Sequence, residues 1–172
     1  MQILDTPKQR KILPIILLTI FIDMIGIGIL IPVMPMLLAD PESQYYLLAG
    51  VASIGTMTVV QSGYIIYGLL NAIFPFMQFL SAPILGQLSD KYGRKKILGI
   101  SISGTFISYI VFAIAIYTRN IPLLFVSRMV YGIMGGNISV AQAAIADITK
   151  PENRAKNFGL IGATFGLGMI VG

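Results

Sequence analysis

The stretch that decides the fold of this chain is Gly86-Gln-Leu-Ser-Asp-Lys-Tyr-Gly-Arg-Lys-Lys-Ile-Leu98, in which five of the thirteen residues are charged. Long apolar segments lie on both sides of it, so we expect a short loop that reverses the chain outside a lipid bilayer. Gly93 can adopt a positive φ and allow a tight reversal, and Gly86 would let another helix approach closely. Asp90 lies near the end of the preceding helix, where the dipole disfavours an anion, and Arg94 is its nearest local cation.

The composition independently indicates an integral membrane protein. The 172 residues are 56% hydrophobic and 11% charged, whereas soluble domains carry about 25% charged residues. The net charge of +5 comes from short basic clusters beside apolar segments, which fits orientation in a bilayer better than nucleic-acid binding. Because the chain has no Cys and no His, we expect neither an enzyme with catalytic residues nor a metal site or cofactor.

Five apolar segments predict five membrane-spanning helices after a short cytoplasmic tail at 1–11. The predicted spans are 12–38, 64–88, 97–117, 122–146 and 157–172. We therefore expect an all-α integral membrane protein in which 12–172 form part of a helix bundle. Ten of the twelve Lys and Arg residues lie in the tail and in two loops that would share one side of the membrane. The positive-inside rule then places the N-terminus in the cytoplasm.

The uncharged run 45–60 is harder to place. Its 16 residues are fewer than the ~20 that a crossing helix needs. A crossing would also move the basic loop at 91–96 to the side opposite the basic tail. We interpret the run as a non-spanning excursion or as an outward extension of the second helix.

Two charged residues lie inside the predicted spans. At 1.5 Å per residue, Asp23 is about 18 Å deep in the first span and Arg128 about 10 Å from the opposite face in the fourth. A charge inside a bilayer indicates a functional site by default, and Asp23 is the only mid-membrane acid that Arg128 could pair with. A purely structural ion pair is the alternative. Three amides inside the spans are candidates for lining a cavity: Asn71, Gln78 and Asn137.

The loop at 86–98 resembles the signature loop between the second and third helices of the major facilitator superfamily of secondary transporters. The segment 23–35, Asp-x-x-Gly-x-Gly-x-x-x-Pro-x-x-Pro, resembles the first-helix motif of proton-coupled drug exporters in that superfamily. The segment 128–136, Arg-x-x-x-Gly-x-x-Gly-Gly, resembles the fourth-helix motif that is linked to proton coupling. The Ala-Asp-Ile-Thr junction around Asp147 is similar to that of tetracycline exporters, where this carboxylate is expected to meet the Arg that matches Arg94.

The resemblance implies a secondary transporter of about twelve helices in two halves, of which this chain would hold the first five. It implies export of a small, drug-like molecule across the plasma membrane by proton antiport, driven by the proton gradient rather than by a cofactor. Asp23 would bind the coupling proton or a cationic substrate, and Arg128 would tune its charge. A gating loop at the cytoplasmic surface would comprise Gly86, Asp90, Gly93, Arg94 and Asp147.

The partners implied are a small-molecule substrate, the lipid bilayer and the missing C-terminal half, with no nucleic acid. The alternatives are a truncated half or interaction protein that does not transport, and an uptake symporter of the same superfamily.

Tetracycline exporters are expected to carry an Asp in the third helix, where this chain has Ser108. In the fifth span, the pairs Gly162/Gly166 and Gly168/Gly172 fit close helix packing.

Overall fold

A computed structural model of the chain describes residues 7–48 and 58–172, and throughout these ranges the ordered elements are helices. The α-helices are α1 Pro7–Leu38, α2 Val59–Tyr92, α3 Arg94–Tyr117, α4 Ile121–Gly135, α5 Asn137–Ile148 and α6 Arg154–Val171, with a short 3-10 helix at Pro151–Asn153. The first four residues of the 45–60 run, 45–48, lie in a segment of turns. Residues 49–57 of that run lie outside the described residues, and its end belongs to α2.

Four stretches are long and apolar enough to cross a membrane: Leu13–Leu38, Val59–Tyr92, Arg94–Tyr117 and Ile121–Ile148. The last of these comprises α4 and α5 together. The α6 helix covers the region of the fifth predicted span but is not among the helices that are long and apolar enough to cross a membrane. Its crossing therefore stays a prediction. Large apolar side chains cover the outside of the bundle, for example Phe79 at 75% exposure and Phe106 at 66%. Lipid is the environment that accommodates such a surface.

A single residue separates α2 from α3. Gly93 has φ 95°, and its N–H donates a hydrogen bond to the Ser89 carbonyl at 3.0 Å. The prediction of a tight reversal at this glycine is therefore confirmed. We use the name Arg94 end for the end of the bundle that contains this reversal, and Leu38 end for the opposite one.

No described helix packs against Gly86, so the expectation for this glycine stays a prediction. A Cβ atom built at Gly86 would meet no atom within 4 Å. This position of α2 faces away from the other described helices, so no neighbour uses the space that the missing side chain leaves. A glycine in a helix is therefore not by itself evidence of a close contact.

The fourth predicted span is interrupted at Gly136, between α4 and α5. A Cβ at Gly136 would lie 2.8 Å from the Ser81 hydroxyl, and one at Gly132 would lie 2.7 Å from the Met77 Cβ. The glycines of this segment therefore bring α4 and the start of α5 close to α2. The interruption also leaves the N-terminus of α5 inside the bundle.

The α6 helix packs against α1 through only one of its two glycine pairs. A Cβ at Gly168 would lie 2.5 Å from the Met24 Cβ, and one at Gly172 would collide with the Ile25 carbonyl. In contrast, Cβ atoms at Gly162 and Gly166 would meet nothing within 4 Å. Close packing is confirmed for the Gly168/Gly172 pair. The Gly162/Gly166 pair lies on another face of the helix, where no described residue packs, so its expectation stays a prediction.

The chain segment after α1 folds back onto the Leu38 end. The Leu47 N–H donates to the Leu37 carbonyl at 2.8 Å, and Leu48 is buried against Leu38. A capping box at Thr58 then starts α2, because the Thr58 hydroxyl and the Gln61 side chain each accept a hydrogen bond from the other residue's backbone N–H. The Thr-x-x-Gln pattern at 58–61 is typical of a helix start, and it places the start of α2 five residues before the predicted span.

Candidate functional site

Asp23 lies half-buried in α1, where its carboxylate faces α5. The Asn137 side-chain amide donates a hydrogen bond to the Asp23 Oδ2 at 3.2 Å. Asn137 is the first residue of α5 and is 3% exposed. The turn at Gly136 therefore places an amide donor beside this acid.

Arg128 is buried, with only 6% of its surface exposed. Its guanidinium carbon lies 4.3 Å from the centroid of the Phe112 ring and 5.9 Å from that of Tyr131. Cation–π contacts in a desolvated site contribute about 2 kcal/mol, whereas burying an ion costs several kcal/mol. Two of its nitrogen atoms, Nε and Nη2, are buried and have no hydrogen-bond partner among the described residues.

The predicted pairing of Asp23 with Arg128 is wrong in this structure. No ion pair joins them within the part of the chain that the structure describes, and Asp23 bonds to Asn137 instead. Arg128 belongs to α4, whereas Asn137 begins the next helix, α5. The prediction measured the depth of Asp23 from residue 12. Because α1 begins at Pro7 and is longer than the bilayer core, the sequence does not fix the residue at which α1 enters the bilayer.

Aromatic rings fill the space between the two charges. Tyr131 stacks on Phe74 with a centroid separation of 4.8 Å and lies 5.3 Å from Tyr109. The buried Tyr109 hydroxyl packs over Gly26 of α1, where a Cβ would collide with it. This close approach requires the space that a glycine leaves in α1.

Three cavities follow one another along α1. The largest, about 430 Å³, lies between α1, α3 and α5 and reaches from Asp23 to Arg94 and Asp147. A second, of about 10 Å³, continues from Asp23 to Tyr131. A third, of about 70 Å³, lies beside Tyr131 and Arg128. Each of the two intramembrane charges therefore borders a cavity.

The three candidate amides occupy different parts of this arrangement. Asn137 borders the first and second cavities, Gln78 the second, and Asn71 the third. Gln78 also donates to the Gly135 carbonyl at 2.9 Å, and Asn71 to the Tyr67 carbonyl of its own helix at 2.9 Å. All three side chains therefore border a cavity, and two are anchored by a backbone carbonyl.

At the Arg94 end, one arginine joins two acids. Arg94 Nη2 lies 2.6 Å from Asp90 Oδ1, and Arg94 Nε lies 3.0 Å from Asp147 Oδ2. Arg94 Nη1 also donates to the Ser89 hydroxyl. We call these four residues the Arg94 cluster. The expected contact between Arg94 and Asp147 is present, and it ties the α2–α3 reversal to the end of α5, whereas its role as a gate stays a prediction.

Sequence reasoning missed two features of the site. Asn137 was considered only as a cavity residue, although it follows a Gly-Gly pair that could end one helix and begin another. The Phe112 and Tyr131 rings around Arg128 gave no signal, because aromatic residues are common in apolar spans. No group of acidic side chains that could hold a metal ion occurs within 7–48 or 58–172.

The helices and the buried charges define a multi-span membrane protein with ionisable groups inside its bundle. The sequence profile of the Major Facilitator Superfamily matches residues 16–172, and the chain belongs to this family.

Curated relatives and a solved structure agree with this assignment. The chain is 41% identical over 167 residues to the class C tetracycline resistance protein of Escherichia coli, a match that covers 96% of the chain and 37% of that protein. It is 38% identical over 164 residues to the class H protein of Pasteurella multocida, with 95% and 36% covered. The crystal structure of the human organic anion transporter MFSD10 (TETRAN) superposes with a TM-score of 0.73 at 29% identity, with 95% of this chain and 40% of that chain covered. The chain thus spans little more than a third of the length of these relatives.

Proposed function

We propose that this chain is the first part of a secondary transporter that exports a small, drug-like molecule by proton antiport. The similarity to tetracycline resistance proteins over nearly the whole chain supports an exporter. The proton gradient would supply the energy, and the N-terminus would lie on the cytoplasmic side of the plasma membrane. The remaining helices of such a transporter would complete the substrate site.

The observation that carries this proposal is the position of Asp23. Its carboxylate lies within the helix bundle with one amide donor, at the meeting point of two cavities. A carboxyl group in such a place can exchange a proton when water reaches it from one side and then from the other. We propose that Asp23 binds the coupling proton, or a cationic substrate in competition with it.

The Arg94 cluster would act as a latch for alternating access. It links two separate parts of the bundle through partly exposed ion pairs: the Arg94 side chain is 26% exposed and that of Asp147 is 57% exposed. Exposed ion pairs each contribute about 0–1 kcal/mol. A latch of this strength can hold one conformation and still open during each transport cycle.

A chimera tests the proposed function. In it, residues 1–172 replace the matching part of the class C tetracycline resistance protein, and everted membrane vesicles report tetracycline uptake driven by an imposed proton gradient. We expect the chimera to transport and Asp23→Asn to abolish gradient-driven uptake while leaving membrane insertion intact. Asp40→Asn, which neutralises an exposed acid at the Leu38 end, is the matched control.

The outcomes separate this proposal from its alternatives. Normal gradient-driven uptake by Asp23→Asn would leave the acid a packing residue. A chimera that inserts but never transports would favour a non-transporting interaction protein. Accumulation in right-side-out vesicles, with none in everted ones, would identify an uptake symporter.

A further inference from the structure

Arg128 is a buried cation whose charge the described residues leave uncompensated. Its guanidinium is 6% exposed, and no acid lies within ion-pair distance in 7–48 or 58–172. The faces of Phe112 and Tyr131 offset only part of the loss of hydration. Nε and Nη2 have no hydrogen-bond partner within 7–48 or 58–172.

The two free nitrogen atoms have the geometry that a carboxylate requires. Nε and Nη2 lie side by side on one edge of the planar guanidinium, and such an edge binds two oxygen atoms of a carboxylate at once. The Phe112 and Tyr131 rings hold the group in place. Part of the entropy that a flexible arginine loses on binding has therefore already been lost.

A cavity next to Arg128 gives such a group room and a route. Its volume is about 70 Å³, larger than the roughly 10–15 Å³ that a single water needs. The walls are mostly apolar side chains of α1 and α2, and the exposed Asn71 lies at its edge. An anionic group on an apolar body would match both the cation and these walls.

We infer that the Arg128 cavity is a subsite for the anionic group of the transported molecule, a carboxylate or a similar small oxyanion attached to an apolar body. This inference rests on the proposed function and names the chemical class of substrate that this site takes. Asp23 bonds to Asn137 and makes no ion pair with Arg128, so this acid does not occupy the guanidinium. The anion enters beside Asn71 and pairs with the guanidinium of Arg128, which borders the cavity, while its apolar body packs on the α1 wall.

Equilibrium binding to the 172-residue chain in lipid nanodiscs tests the inference. The probes are benzoate, its neutral analogue benzamide and the cationic benzylammonium, and the readout is the midpoint of thermal unfolding as a function of probe concentration. We expect a saturable rise with benzoate and no saturable rise with the other two. Arg128→Met should weaken benzoate binding at least about tenfold, and Arg128→Lys should weaken it less because the charge stays but the planar fork is lost.

Two further variants separate the role of Arg128 from a general effect of removing a charge or of destabilising the fold. Arg154→Met removes an exposed arginine at the start of α6 and should bind benzoate like the unchanged chain. Ile31→Phe keeps Arg128 but fills the cavity from α1, where the Ile31 side chain is 55% exposed and can be enlarged; it should weaken benzoate binding. If Arg128→Met fails to fold, Ile31→Phe still decides the question.

Three results would overturn the subsite: no saturable response to benzoate, an equal response to benzamide, or unchanged binding in both Arg128→Met and Ile31→Phe. These measurements use no proton gradient. Loss of gradient-driven uptake by the chimera with benzoate binding intact would therefore count against proton antiport alone. The reverse pattern would count against the anion subsite alone.

Discussion

Single charged residues play two different parts in this protein. Arg94 lies at the end of the bundle, partly exposed, and contacts Asp90 and Asp147. Arg128 lies inside, against two aromatic rings, and contacts no acid of the described chain. A substitution at Arg94 removes contacts that water partly replaces, whereas one at Arg128 removes a charge that the fold has already desolvated. Variants at the Arg94 end should therefore change conformational equilibria more than stability.

A charge reversal at Arg94 tests this at the level of transport. In the chimera, Arg94→Asp should lower the initial uptake rate about tenfold, which corresponds to about 1.4 kcal/mol. Repulsion from Asp90 and Asp147 would replace two attractive contacts. The double variant Arg94→Asp with Asp147→Arg should recover part of the rate, while Lys96→Asp, the same charge change at an exposed neighbour, should have little effect. A double variant no faster than Arg94→Asp would mean that the two residues are not coupled.

The single residue of the α2–α3 reversal gives a prediction about stability. Gly93→Ala should destabilise the chain by about 1–3 kcal/mol, because its φ of 95° is one that L side chains rarely adopt. Gly86→Ala is the matched control: this glycine is helical and has open space around it, so alanine should be neutral or slightly stabilising. Unfolding by SDS in mixed micelles would measure both. Equal destabilisation by both variants would show that the positive φ at Gly93 is not the reason that this position needs glycine.

What the sequence predicted at this scale depended on local geometry. The reversal at Gly93 and the contact of Arg94 with Asp90 follow from short spacings, and the contact with Asp147 followed from resemblance to related junctions. The partner of Asp23 did not follow, since it depends on how far α1 slides along α5. Helix register between distant segments is set by packing, and no pattern within one helix encodes it.

At the scale of helices, the contact between α1 and α6 rests on small residues. Gly28, Gly168 and Gly172 let the two backbones approach closely, and lipid offers no hydrophobic force that would bring them together otherwise. The sequence predicted that α6 uses glycine pairs but not which pair, because both have the same spacing. Only the position of α1 distinguishes the faces of α6.

Valine substitutions on the two faces of α6 form a matched pair. Gly168→Val should destabilise the chain by about 1–3 kcal/mol through overpacking against Met24. Gly162→Val places the same side chain where no atom lies within 4 Å, and its effect should be only the small propensity difference between Gly and Val. SDS unfolding would report both values. A larger effect at Gly162 than at Gly168 would contradict the packing of α6 on α1.

At the scale of the whole molecule, α2 is the one candidate crossing among the described residues between 43 and 91, and it predicts that these two positions lie on opposite sides of the membrane. The α2 helix runs from the Leu38 end to the Arg94 end, and the described part of the 45–60 run turns back at the Leu38 end. In this Cys-free chain, single cysteines at Ser43 and Lys91 should therefore react with a membrane-impermeant maleimide from opposite sides. Labelling of both from one side would require a second crossing within the 45–60 run.

The length of α1 couples this protein to the thickness of its membrane. Its apolar part, Leu13–Leu38, contains 26 residues and is about 39 Å long at 1.5 Å per residue, about 9 Å more than the ~30 Å hydrocarbon core. Tilting, bending near Pro32 and Pro35 or local thickening of the bilayer absorbs this excess. Longer acyl chains would bring α1 closer to upright, and shorter ones would incline it further. The depth of Asp23 would change with that inclination, so the position of this carboxylate in the bilayer would depend on the acyl-chain length of the host membrane.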